Sequence, residues 1–135
     1  MTVAEIVLDA SVLVRGLQRQ AEEAIEIIDR IDDGSISAHA PDLIGPETAS
    51  ALLQHVRAGR SSPQAAVTML EAATASKIIR YSSVQFARPA LELAVETGLS
   101  AYDAFYAVLA RALDIPLVTA DRKLAAAVAG SVLVE

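Results

Sequence analysis

Glu5-Ile6-Val7-Leu8-Asp9-Ala10-Ser11 is the stretch that decides how the rest of the chain is read. Three consecutive aliphatics, two of them β-branched, form a short strand apolar on both faces, as in a covered parallel sheet. The apolar run stops at Asp9, and Val12, Leu13 and Leu17 then recur at helical spacing. A strand that ends on Asp and passes straight into a helix places that carboxylate at the carboxyl edge of the sheet, where open α/β folds bind ligands. Asp is also a common helix N-cap. Asp9 alone does not choose between the two roles; further carboxylates at the same edge would.

Outward from this strand, helical and extended segments alternate. The first helix runs from Ser11 to about Gln18. A second, Ala21 to Ile31, carries Ala24, Ile25, Ile27, Ile28 and Ile31 on a broad apolar face and stops at Gly34. Ile36 to Ala40 is a short strand. A helix from about Asp42 to Ala58 follows, with Pro46 at its first position or at a small kink, and stops at Gly59. Ser62-Pro63 opens a helix to about Ala73, and Lys77 to Tyr81 is a strand. Ser83 is expected to cap a helix bearing Leu91, Leu93 and Val95 that ends at Gly98, and Ser100 caps the next, to about Leu113. Pro116 to Thr119 is a strand, Asp121 to Ala129 a helix, and Val132 to Val134 a last strand. The pattern predicts an α/β fold of three layers, its mostly parallel sheet covered on both faces. At 135 residues, with no repeat or linker, it predicts a single domain over residues 1–135.

Composition narrows the possibilities further. A hydrophobic fraction of 53% and a mean hydropathy of +0.41 are high for a chain of this size, yet no apolar run is long enough to cross a bilayer. The surplus predicts an apolar patch that meets another chain, and hence a homodimer or a partner. Met1 leads directly into the first strand, leaving no room for a signal peptide. No cysteine is present, so there is neither a disulfide framework nor a thiolate metal site. A cytoplasmic location is the expectation. The net charge of −6 argues against a basic nucleic-acid stripe, unless the acid is concentrated at a site.

Three more acids fall where Asp9 falls. Glu47 follows Pro46 in the first turn of its helix, Asp103 lies three residues after Ser100, and Asp121 follows Leu117-Val118-Thr119. Each has a local alternative. Ser100 to Asp103 is a fair capping box, Asp121 a plausible N-cap, and Glu47 a complement to the helix dipole. Jointly these alternatives weaken, because the topology carries all four towards one edge, where they repel unless a cation neutralises them. Oxygen donors without Cys suit a hard ion, Mg²⁺ or Mn²⁺. Ser11 and Thr119 add hydroxyls beside the cluster. His39 and His55 read as structural residues.

Ile6-Val7-Leu8-Asp9-Ala10-Ser11-Val12-Leu13 resembles the opening of a PIN domain. Ala40-Pro41-Asp42-Leu43, leading to Glu47 and Leu52, is similar to that family's second motif. Ser100-Ala101-Tyr102-Asp103-Ala104-Phe105-Tyr106 resembles the third, and Pro116-Leu117-Val118-Thr119-Ala120-Asp121 the fourth. The four span essentially the whole chain and lie nearest the small PIN nucleases that act as toxins in VapBC toxin–antitoxin pairs. The resemblance implies a Mg²⁺- or Mn²⁺-dependent endoribonuclease that hydrolyses RNA phosphodiester bonds with a metal-activated water and is silenced by a cognate antitoxin. Carried over by position, Asp9, Glu47, Asp103 and Asp121 are the metal-site acids, and Ser11 and Thr119 supporting hydroxyls. Ser50 stands where members of the family often have Asn.

With those four acids set aside, the rest of the 17 come close to balancing the 11 bases, so acidity does not oppose a nuclease. Arg15, Arg19, Arg122 and Lys123 follow two of the motifs and are candidates to meet phosphate. Two other readings compete. A phosphotransfer domain also places Asp after its first strand, but a haloacid-dehalogenase-like hydrolase wants a second Asp where Ser11 stands. A receiver wants paired acids and a late Lys ending a strand, whereas Lys123 follows Asp121. A non-catalytic PIN module that only binds a partner is the other. For the antitoxin, Val12, Leu13 and Leu17 with Leu52, Leu53 and Val56 are expected to frame an apolar groove leading to the carboxylates.

Overall fold

The computed structural model describes residues 3–135; the reading of Met1 as leading into the first strand lies outside the described residues. Strands β1 (Ala4–Leu8), β2 (Ile36–Pro41), β3 (Ile79–Tyr81), β4 (Leu117–Thr119) and β5 (Val132–Leu133) form one parallel sheet in the order β3-β2-β1-β4-β5. Between β1 and β2 lie helices α1 (Ala10–Leu17) and α2 (Glu22–Asp32); between β2 and β3 lie α3 (Ile44–Arg57) and α4 (Pro63–Ala75). Helices α5 (Ala87–Thr97) and α6 (Ala101–Leu113) precede β4, and α7 (Arg122–Ala127) joins β4 to β5.

That strand order reverses direction between β1 and β4. With right-handed crossovers, α1 to α4 cover one face and α5 to α7 the other. The result is the three-layer α/β/α arrangement expected from the alternation of segments. The two central strands carry the most apolar sequence, and Val7, Leu8 and Leu117 are fully buried. The reversal opens a crevice at the carboxyl ends of β1 and β4, the place where such sheets bind ligands. The backbone closes tightly there: Asp9 N–H donates to Val118 O at 3.0 Å.

Helix boundaries follow local chemistry. Ser62 Oγ accepts from Ala65 N–H at 3.0 Å with Pro63 next to it, and α5 stops at Gly98 in the left-handed region, φ 76°. Pro46 is the third residue of α3, inside the first turn, where its missing N–H has no helical partner to lose.

Three expectations change. Asp42 does not start α3; its carboxylate accepts the backbone N–H and the hydroxyl of Ser83, tying the end of β2 to the segment after β3. Ser83 is consequently not the cap of α5; a 3₁₀ turn, Ser83–Phe86, comes first. The third change concerns the apolar groove. Val12, Leu13 and Leu52 are buried in the core and Leu17 packs against it. A groove of about 250 Å³ lies one helix further on, between α3 and α4; Leu52, Leu53 and Val56 line it as expected, but with Val67 and Leu70 of α4 in place of the α1 residues.

His39 is structural, as expected. It is buried on β2, where Nδ1 hydrogen-bonds the Tyr81 hydroxyl at 2.7 Å and Nε2 meets Glu5 Oε1 at 3.0 Å, crossing three strands.

Candidate active site

Asp9 follows β1 and is only 6% exposed. It stands at the N-cap position of α1 but makes no side-chain cap bond. Instead its Oδ2 accepts two hydroxyls, from Ser11 Oγ at 2.7 Å and Thr119 Oγ1 at 2.7 Å. Both hydroxyls are themselves fixed from the β4 side: Ser11 Oγ accepts from Ala120 N–H at 3.1 Å, and Thr119 Oγ1 from Asp121 N–H at 3.0 Å. Burial raises the Asp9 pKa, the two hydroxyls oppose that, and the Asp121 charge pushes it up again.

Glu47, in the first turn of α3, faces Asp9 across the crevice. Its Oε1 is buried without a hydrogen-bond partner among the described residues. Burial pushes its pKa up to about 7; the adjoining Tyr106 hydroxyl lowers it, and the Asp9 and Asp103 charges raise it. The Tyr106 hydroxyl, from α6, is likewise buried and makes no full hydrogen bond among the described residues.

Asp103 enters from α6. Its N–H donates to Ser100 Oγ at 3.1 Å, but no bond from the Ser100 N–H returns to its carboxylate among the described residues, so the capping box is half formed. Burial, then Asp9 and Asp121, raise its pKa, against the nearby Ser100 hydroxyl and Lys123. Asp121 is the one acid that caps: Oδ1 accepts from Lys123 N–H at 2.9 Å and Leu124 N–H at 3.2 Å.

Asp9, Ser11, Glu47, Asp103 and Asp121 thus line a single cleft of about 640 Å³. Thr119 lies beneath it, fully buried, and acts on the site through Asp9. Ser50 is exposed and lies outside the cleft, in a smaller depression that it lines with Pro46, Glu47, Gln54 and Tyr102.

The donor set fits a hard divalent cation. Asp9, Glu47 and Asp103 have raised pKa values, first through burial and then through neighbouring carboxylate charge, which a cation would offset. Glu47 Oε1 is a buried oxygen without a hydrogen-bond partner among the described residues. No three acidic or His groups close on one point among the described residues. Mg²⁺ is commonly held by one or two carboxylates and completes its shell with water.

Of the cations named from sequence, only Arg15 lines the cleft. Arg19 pairs with Asp29, Arg122 with Glu135, and Lys123 Nζ donates to Gly98 O. The cleft wall also holds Gln18, Gln20 and Arg60, which sequence reading passed over, and His55, which it took for an ordinary structural residue. Helical spacing carries the signal for two of them. Gln18 falls seven residues after Ser11, and His55 eight after Glu47, each on the face its predecessor shares. Arg60, beyond the end of α3, has no such signal.

A parallel sheet in this order, with four carboxylates meeting at its reversal, is the architecture of a PIN domain. The PIN domain family model matches residues 6–130, and the chain belongs to that family. Within it the chain resembles VapC ribonucleases. It is 33% identical over 125 residues to Ribonuclease VapC3 of Pyrobaculum aerophilum, covering 90% of this chain and 92% of that protein. It is 35% identical over 124 residues to Ribonuclease VapC1 of Mycobacterium tuberculosis, covering 91% and 90%. The crystal structure of PAE2754 from Pyrobaculum aerophilum shares the fold with a TM-score of 0.75 at 26% identity, over 96% of this chain and 88% of that one. The receiver-like and dehalogenase-like readings fall with this finding. No helix among the described residues is long and apolar enough to cross a membrane.

Proposed function

We propose that the chain works as one unit, a divalent-metal-dependent endoribonuclease that is the toxin of a toxin–antitoxin pair. The observation that carries the reading is the convergence of Asp9, Glu47, Asp103 and Asp121 on one cleft. The 33% and 35% identical relatives named as ribonucleases support the same class.

Asp9, Glu47, Asp103 and Asp121 would hold Mg²⁺ or Mn²⁺. The ion supplies a water of lowered pKa and positive charge against the phosphate in the transition state. The chain's own contribution is positional. Ser11 and Thr119 pin Asp9 Oδ2, leaving Oδ1 as the oxygen turned to other work. Burial pushes the Glu47 pKa up to about 7 in the metal-free chain, and a bound cation would hold it unprotonated, with its unpartnered Oε1 as the donor atom. Asp121 keeps Oδ2 free while Oδ1 caps α7. Burial under α1, α3 and α6 restricts water around Asp9, which strengthens each of these interactions.

An antitoxin and a second copy of the chain are the proposed protein partners. Leu53 and Val67 beside the α3–α4 groove, and Leu91 and Val95 on α5, stand 44%, 54%, 62% and 80% exposed. That is apolar surface which a homodimer and an antitoxin helix would cover. Such a toxin works in the cytoplasm, where RNA and ribosomes are.

Incubation of purified protein with RNA and Mn²⁺, alongside Asp9→Asn and an acyl-phosphate labelling assay, tests the reading. Metal-dependent cleavage lost in the variant is expected. An inert wild type that still binds an antitoxin would leave a non-catalytic PIN module.

A further inference from the structure

The acids occupy only part of the cleft wall. Besides Ser11 and small apolar residues, the rest holds Arg15 of α1, Gln18 and Gln20 just beyond its end, His55 of α3, and Arg60 past the end of α3. Two atoms there lack partners. Gln18 Nε2 and His55 Nδ1 are buried, and neither has a hydrogen-bond partner among the described residues. Buried polar groups are nearly always satisfied, so two orphans in one wall mark where a ligand completes the bonding. Arg15 is half-buried and Arg60 exposed, and neither forms an ion pair among the described residues.

The chemistry of the four groups selects the ligand. A guanidinium only donates, the Gln18 Nε2 is a donor, and His55 Nδ1 donates in one tautomer and when protonated. What satisfies all of them is an acceptor-rich anion, and phosphate matches paired guanidinium groups in both charge and geometry. A cleft of about 640 Å³ exceeds what one phosphate fills. It has room for the scissile linkage at the acids and a second linkage beyond it.

We propose that Arg15, Gln18, His55 and Arg60 form a subsite for the phosphate flanking the scissile one, setting the register of the RNA strand over the carboxylates. The ligand's identity rests on the ribonuclease reading; the site rests on the orphaned donors and unpaired arginines. These four are positioning residues and touch a phosphate that does not react.

The test uses anisotropy of a labelled single-stranded oligoribonucleotide in EDTA, titrated with salt, and steady-state cleavage in Mn²⁺. Arg60→Gln is the safe variant, because an exposed side chain beyond a helix end supports no core; Arg15→Gln is then added to it. Each neutralised phosphate contributes about −0.7 to the slope of log K against log salt for a single strand, so the double variant, which gives up one phosphate, should flatten that slope by about 0.7. Binding should weaken by about tenfold for each arginine removed, the scale of one lost charge-assisted bond apiece. His55→Leu and Gln18→Leu should raise KM while leaving kcat near wild type, with His55→Gln, which restores a donor, recovering part of the loss.

Unchanged slope and affinity in the double variant, in a wild type that binds and cleaves RNA, overturn the subsite and leave the ribonuclease standing. A fall in kcat without a change in KM for His55→Leu overturns the positioning role. A wild type that neither binds nor cleaves RNA overturns both readings together.

Discussion

Thr119 Oγ1 donates a 2.7 Å hydrogen bond to Asp9 Oδ2 from 110 residues away in the chain. The same hydroxyl accepts the Asp121 N–H at 3.0 Å. One fully buried threonine therefore fixes the acid after β1 and the backbone of the acid after β4. The parallel pairing of β1 with β4 makes this possible, since Leu8 is in register with Val118 and the residues that follow come level at the strand ends. Structure and site share a single bond.

Replacing Asp9 by Asn should abolish metal-dependent cleavage while preserving or raising thermal stability. An amide oxygen still accepts both hydroxyls, and the charge that Glu47 and Asp103 feel is gone. Cleavage by the variant in Mn²⁺ at the wild-type rate would sink the site assignment.

Thr119→Val should destabilise the fold by about 1–3 kcal/mol, because it leaves the Asp121 N–H without its acceptor and Asp9 with one donor fewer. Urea unfolding should show a lower midpoint with unchanged slope. Thr119→Ser, which keeps the hydroxyl, should recover most of the loss. Equal midpoints for Val and Ser would mean that packing, and not the bond, accounts for Thr119.

Much of this was legible in the sequence, for physical reasons. The strand before Asp9 and the strand before Asp121 are short aliphatic runs closed by a carboxylate, and strand order plus handedness then carries both to one edge. Whether each acid capped its helix was not legible, because cap and ligand share the same local pattern. Asp103 and Asp121 both look like caps, yet only Asp121 turns an oxygen onto the helix N–H groups. The Asp42–Ser83 link joins residues 41 apart and has no local trace. The apolar groove was misplaced because α1 packs against β4 on one side and against both α2 and α3 on the others. Its apolar stripe is core on that account, which periodicity alone does not reveal.

Asp121 offers a way to separate cap from charge. Asp121→Ala removes both, and should cost about 1 kcal/mol through the lost cap alone. Asp121→Asn keeps an oxygen for the Lys123 and Leu124 N–H groups, and should retain stability while weakening metal binding and cleavage. Titration calorimetry with Mn²⁺ and thermal melts on the pair check this; identical melting temperatures for both variants would deny the cap its energetic role.

Gly16 sits where α1 crosses α2. A Cβ there would collide with Ile28 Cγ1 and come 3.0 Å from Ala24 O. Helix propensity favours Ala over Gly by about 1 kcal/mol, whereas forcing an overpacked contact costs about 1–3 kcal/mol. The backbone oxygen cannot swing aside as a side chain can, so the second effect should win and Gly16→Ala should lower the melting temperature. A rise would mean that Ile28 repacks freely.

Glu47 should give the metal-free protein an inverted acid response. Its folded pKa is about 7 against an ordinary 4.5, so between those values the folded chain holds a proton that the unfolded chain does not. Stability from this group is therefore complete below about 4.5 and is lost as the pH rises through about 7. Asp9 and Asp103, also raised, act in the same direction. Metal reverses the trend, because the ion needs the carboxylates unprotonated, and binding near neutral pH should release a proton. Two measurements follow from this. Melting temperatures without metal should fall from about pH 5 to pH 8 in the wild type, and the fall should be shallower in Glu47→Gln. The apparent enthalpy of Mn²⁺ binding near pH 7 should depend on the ionisation enthalpy of the buffer in the wild type and much less in the variant. Parallel pH profiles for the two proteins would remove Glu47 as the titrating group and leave Asp9 and Asp103 to account for the response.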